Sequence, residues 1–165
     1  MSNLNDRTEI TGDGLQAVRL AERAGAENLG ASLYELQPGD EMVFHYHVQR
    51  EELMIVLDGR PSLRTADGWE ELPAGEVVAF PRGESGAHGC RNDTHEPVRL
   101  LMISEMTGPN ISVYPDTGQI GVFDAGQRSH RRFGGLFNVT DAVGDYGGKA
   151  RIVPPASGPR ARRER

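Results

Sequence analysis

One cysteine, Cys90, stands in 165 residues. That excludes an intramolecular disulfide framework and suits a reducing compartment. Lysine is as rare: Lys149 stands against 17 arginines. Lysine-nucleophile chemistry therefore has a single candidate, in a Gly-rich late segment, and is set aside. The longest apolar run, Leu53 to Leu57, falls far short of the ~18 residues that span a bilayer. The opening MSNLNDRTEI is polar and carries no signal-peptide core, so the expectation is a cytoplasmic protein. There is no nucleophile elbow, no Gly-Lys-Ser/Thr phosphate loop and no paired-Cys zinc site. Gly12-Asp13-Gly14 follows no apolar strand and reads as a turn, not a dinucleotide fingerprint.

Positive charge is also scarce. The net charge is −6 with a pI near 5.4, so the fold as a whole repels nucleic acid and anionic membrane. Residues 156–165 hold four arginines and one glutamate, a net of +3 that leaves −9 for residues 1–155. This basic end is expected to be a solvated, disordered tail.

What is present suits one folded domain. Hydrophobic residues make up 37%, and with glycine counted the apolar share is near the globular norm. Residues 1–14 read as a mobile arm, and Leu15 to Ala26 as a short helix. From about 30 to 123, short β-rich stretches recur between turn signals such as Pro38-Gly39-Asp40, Asp58-Gly59, Pro73-Ala74-Gly75 and Pro81-Arg82-Gly83. That rhythm argues for an all-β sandwich or barrel. Strands are predicted near 30–36, 41–47, 51–58, 60–66, 69–72, 76–80, 86–92, 98–105, 110–114 and 119–123. The division is an N-terminal arm over 1–29, a barrel over 30–123 and a C-terminal extension over 124–165. In the extension, the apolar stretch Phe133–Val139 is expected to pack on the barrel or a neighbouring subunit, with fraying beyond Pro154.

Of five histidines, His45 and His47 form a His-x-His pair inside a predicted strand. Side chains two apart on a strand share a face, so both imidazoles converge on one point. Glu52 opens the next strand, and an antiparallel return would bring it beside the pair. His88 lies in a later strand after a Pro/Gly turn. Three imidazoles and one carboxylate on an inner wall form a borderline site for Fe(II), Mn(II), Ni(II), Cu(II) or Zn(II). His95 and His130 sit in polar surroundings and read as surface residues.

The spacing of the whole set resembles the cupin superfamily. Gly39-DEMVF-His45-Tyr46-His47-VQRE-Glu52-LMIVLD-Gly59 matches every element of the first cupin motif. Gly75-EVVAF-Pro81-Arg82-Gly83-ESGA-His88-GCR-Asn92 matches the second, except that four residues instead of two separate Gly83 from His88, lengthening a turn. Val113-Tyr-Pro-Asp-Thr-Gly118 reads as a turn between the last strands and looks like a segment of small single-domain cupins. The resemblance implies a double-stranded β-helix, or jelly-roll, with a metal held by His45, His47, Glu52 and His88, and a homodimer. Glu51 is the rival carboxylate, and the six-residue gap to Gly59 favours Glu52.

Several residues flank this set. Met54 and Val56 share parity with Glu52, and Cys90 and Asn92 with His88. All four line the same cavity if parity is kept. Cys90 reads as a small buried apolar residue and Asn92 as a turn stabiliser. Phe44 and Tyr46 face away from the imidazoles. Arg99, Glu105 and one of Tyr34 and Glu35 are candidates for the cavity mouth.

A divalent ion in such a site keeps a formal +1 and open positions, which suits a small anionic or chelating ligand. Two functions follow. One is a small metal-dependent enzyme, an oxygenase or sugar isomerase, in which no general base stands out beyond the ligands. The other is a non-catalytic module that binds or senses a small molecule. A third possibility is a metal that only stiffens the barrel.

Overall fold

The computed structural model describes residues 2–5, 8–10, 14–126 and 131–141. The basic tail, the end expected to fray past Pro154, Lys149, His130 and the Gly12-Asp13 pair lie outside the described residues. The elements in chain order are β1 (Glu9–Ile10), β2 (Gln16–Arg19), α1 (Leu20–Ala24), β3 (Leu29–Leu36), β4 (Glu41–His47), β5 (Glu52–Asp58) and β6 (Ser62–Thr65). Then follow β7 (Gly68–Glu71), β8 (Val77–Phe80), β9 (His88–Arg91), β10 (Val98–Glu105), β11 (Asn110–Tyr114), β12 (Gln119–Phe123) and β13 (Gly134–Asn138).

The strands form two sheets, ordered β1-β2-β3-β10-β5-β8 and β13-β12-β11-β4-β9-β6-β7. Every pairing is antiparallel. This is the all-β jelly-roll that the motifs imply. No helix among the described residues is long and apolar enough to cross a membrane.

Three expectations are corrected. The helix read over Leu15–Ala26 is half strand. Ala17 and Val18 are buried where β2 pairs with β3, and only Leu20–Ala24 turns as helix, ending at Gly25. Within the stretch read as a mobile arm, Glu9–Ile10 pairs with β2. Glu52 does not reach the His pair by a hairpin return, because β4 and β5 belong to opposite sheets and the carboxylate arrives from across the sandwich.

Alternation along the strands sorts the side chains into two packing layers. Leu36, Met54, Val56, Leu63, Phe80, Cys90, Val98, Leu100 and Met102 fill the space between the sheets. The opposite parity, Leu33 with Leu57 and Leu101, packs against Val18 and Leu20 on the outside of the six-stranded sheet. Towards one end the inward positions change character. Ser32 and Tyr34 on β3, Ser104 on β10, and Asn110, Ser112 and Tyr114 on β11 replace the aliphatic side chains. The sandwich is therefore closed by an apolar core at one end and opens on a polar cavity at the other.

Candidate metal centre

β4 carries His45 and His47, and its register against β9 shifts between Met42 and His45. Three steps on β4 match two on β9, so Met42 and His45 both point inward although their parities differ. His45 then lies directly opposite His88, while His47 pairs with Ser112 on β11. From the other sheet, Glu52 sits between Ser104 and Phe80.

The second-motif departure is absorbed locally. Glu84–Gly86 forms a single 3-10 turn, and His88 Nδ1 then donates to the Gly86 carbonyl at 2.9 Å. The imidazole is buried, stacked on Phe80 with ring centres 3.7 Å apart and planes 12° apart.

All three rings are held by the same nitrogen. His45 Nδ1 donates to the Val43 carbonyl at 2.9 Å. His47 Nδ1 donates to Asn110 Oδ1 at 3.0 Å, with Ser112 Oγ also 3.0 Å away. Because a carbonyl oxygen only accepts, each Nδ1 carries the proton and each Nε2 presents a lone pair. Those lone pairs converge: Nε2 of His47 is 3.2 Å from Nε2 of His45 and 3.2 Å from Glu52 Oε2. His88 Nε2 is 3.4 Å from the same oxygen and, buried, has no aligned hydrogen-bond partner. Donor atoms of His45, Glu52 and His88 all lie within 4.8 Å of one another.

This donor set fits a metal ion. Two ligand atoms each about 2.1 Å from a common ion and at right angles are about 3 Å apart, close to the spacings seen. Imidazoles fixed through Nδ1 by carbonyl acceptors are the outer-shell arrangement that metal-binding histidines use. Without a cation between them, facing lone pairs repel. Glu51 is exposed, its backbone N–H donating to Glu105, so of the two carboxylates only Glu52 faces the imidazoles.

The surroundings of His45 favour its neutral form. Burial, then the neighbouring His88 and His47, pushes the His45 pKa down to about 4. Burial alone would raise the Glu52 pKa, but His47 and His88 close beside the carboxyl outweigh it and hold it well below its usual range. Both groups bind fewer protons folded than unfolded, so the stability of the metal-free protein is full above about pH 6.5 and erodes as pH falls. On the His45 shift alone, metal-free protein loses on the order of 2 kcal/mol between pH 7 and pH 5. Urea titrations at the two values check this, and equal midpoints would refute it.

His45, His47 and Glu52 line a cavity of about 250 Å³, with His88 buried beside them. Its wall includes Tyr34, Met42, Met102, Ser104, Asn110 and Tyr114, and Tyr114 stacks over His45 with ring centres 5.8 Å apart. Of the neighbours Tyr34 and Glu35, it is Tyr34 that reaches the cavity. Arg99 instead faces Glu35 and the Leu4 carbonyl, and Glu105 pairs with Arg82. Met54, Val56 and Cys90 belong to the apolar core. Burial pushes the Cys90 thiol up to about 12, which keeps it a protonated packing group. Asn92 donates to the carbonyls of Leu36 and Glu96 and accepts from Thr94, tying the strand end as expected. Phe44 lies under the Arg64 guanidinium, 4.1 Å from its carbon, and His95 is exposed.

Asn110, Ser112, Tyr114 and Arg50 were not singled out from the sequence as site residues. The signal for the first three was present: Asn110-x-Ser112-x-Tyr114 places polar groups at the period of one strand face. Asn110→Ala should weaken metal affinity by roughly 10–100-fold, the usual cost of an outer-shell partner, with little change in fold. Competition with a chromogenic chelator measures it, and undiminished affinity would show that Asn110 does not fix His47.

The cupin domain family model matches residues 32–104, which span both motifs, and the chain carries a small cupin-2-like domain. No curated protein matches the sequence. Among solved structures, a sugar phosphate isomerase of the cupin superfamily from Silicibacter pomeroyi is 23% identical with a TM-score of 0.70, over 87% of this chain and 85% of that one. A candidate sugar phosphate isomerase from Acidithiobacillus ferrooxidans is 24% identical with a TM-score of 0.68, over 78% of each chain. The polyketide cyclase RemF from Streptomyces resistomycificus is 25% identical with a TM-score of 0.55, over 64% of this chain and 78% of that one. At these identities the likeness is one of fold.

Proposed function

We propose that this cupin is a small metal-dependent enzyme in which His45, His47, Glu52 and His88 hold one divalent transition ion. Its substrate is a small anionic or chelating molecule. The observation that carries the reading is the convergence of three Nδ1-anchored imidazoles and one ionised carboxylate beside a polar cavity. Four protein ligands leave positions open on a five- or six-coordinate ion. When bound, the ion supplies Lewis-acid polarisation of a substrate oxygen or, as iron, activation of dioxygen; the first suits a sugar isomerase and the second an oxygenase.

The chain's own part is positional. Val43, Gly86 and Asn110 orient the rings. The core beneath, with Phe80 against His88, excludes water from the far side. Beyond the ligands, the hydroxyls of Tyr34, Ser112 and Tyr114 are protic groups on the wall. The same reading includes a cytoplasmic homodimer, with exposed Phe133, Leu136 and Phe137 at the outer edge of the seven-stranded sheet as an apolar face.

Titrating Co(II)-loaded protein with oxalate tests the open positions through the visible absorption spectrum. A saturable shift is expected, whereas an unchanged spectrum would mean a closed ion that only stiffens the barrel. Turnover of an enediol and hydroxy-acid panel separates the enzyme from a binding module, which would return each compound unchanged.

A further inference from the structure

Arg50 lies in the connection between β4 and β5, two residues before Glu52, and only 4% of it is exposed. Its guanidinium is poorly matched. Nη1 donates to Met106 Sδ at 3.3 Å, Nη2 donates to the Gly108 carbonyl at 3.2 Å, and buried Nε has no partner. A thioether is a weak acceptor. Among the described residues no carboxylate lies within ion-pairing distance of it. A guanidinium cannot escape by giving up its proton, and a buried unpaired charge is costly.

Two more arginines share the lining. Arg19, Arg50 and Arg131 line the cavity, against Glu52 as the one carboxylate among its lining residues. Glu52 is already committed to His47 and His88. On a chain of net charge −6, this places a concentration of positive charge beside the imidazoles even before an ion is counted. The volume, about 250 Å³, holds several waters, which is the scale of a small metabolite.

We propose that Arg50 is an oxyanion subsite of this cavity, pairing with a carboxylate or phosphate group of the substrate while the rest of that molecule faces the four-ligand centre. This rests on the reading of the cavity as a substrate site. The planar fork of a guanidinium suits two-point recognition of either group. Met106 Sδ is the weak acceptor that such a group replaces.

The test is calorimetric titration of metal-free and metal-loaded protein with malonate, inorganic phosphate and neutral glycerol. Wild type should bind at least one of the two anions roughly tenfold or more tightly than glycerol, and Arg50→Gln should lose that margin. Preference for malonate or for phosphate identifies the group. Arg50→Lys keeps the charge without the fork and should fall between the two, which preserves the comparison if the Gln variant does not fold. Anion binding in metal-free protein that depends on Arg50 supports the subsite even if the metal reading fails. Equal binding of anions and glycerol by wild type, or equal anion binding by wild type and both variants, would overturn it, whatever the metal content.

Discussion

His88→Ala should abolish stoichiometric metal binding and leave an all-β protein. His88 contributes the Nε2 that no other group satisfies, and it sits opposite His45 across β4 and β9. Its loss reduces the donor set from four to three and removes the ligand whose orientation is most constrained, by Gly86 on one side and the Phe80 ring on the other. The fall in affinity should exceed the roughly 10–100-fold that loss of an outer-shell partner costs. The fold survives because His88 lies at the polar end of the sandwich, above the core of Leu36, Val56, Val98 and Leu100. Metal content by elemental analysis, with circular dichroism as the control for fold, reads the result. Unchanged metal content in folded protein would sink the assignment of His88.

Gly86→Ala should have the largest effect on stability. A Cβ at Gly86 would lie on top of the Pro81 carbonyl oxygen and press on the Pro81 ring nitrogen and carbonyl carbon. These are backbone atoms that no rotamer change can move. The 3-10 turn over Glu84–Gly86 must open to relieve the contact, and the Gly86 carbonyl that holds His88 moves with it. Overpacking of this kind costs about 1–3 kcal/mol and more where backbone must shift, so the melting temperature should fall by several degrees and metal affinity should fall with it. A variant with wild-type melting and wild-type metal content would show that the turn is looser than its geometry implies.

Much of the architecture was legible because β-strands announce themselves by alternation and by the turns between them. The spans 41–47, 98–105, 110–114 and 119–123 agree with β4, β10, β11 and β12. The His-x-His pair also works as its spacing implies, since two residues on one strand share a face whatever the topology. What sequence parity could not supply was register. The shift between Met42 and His45 turns residues of both parities inward. The route of Glu52, from the opposite sheet, depends on long-range pairing that no local signal encodes. Gln16–Arg19 reads as helix because its residues tolerate one, and pairing with β3 overrides that preference. Arg50 escaped notice because a charged residue in a loop is ordinarily solvated, and only the folded chain shows it buried against Met106 and Gly108.

The most direct test of the account is the metal content of untagged protein, purified without chelators from metal-supplemented medium and measured by plasma mass spectrometry. The arrangement of His45, His47, Glu52 and His88 predicts about one equivalent of a divalent transition metal per chain. Its identity ranks the chemistries, iron towards dioxygen and zinc towards Lewis-acid work. Protein that takes up no metal, even after anaerobic reconstitution with each candidate ion, would contradict the account.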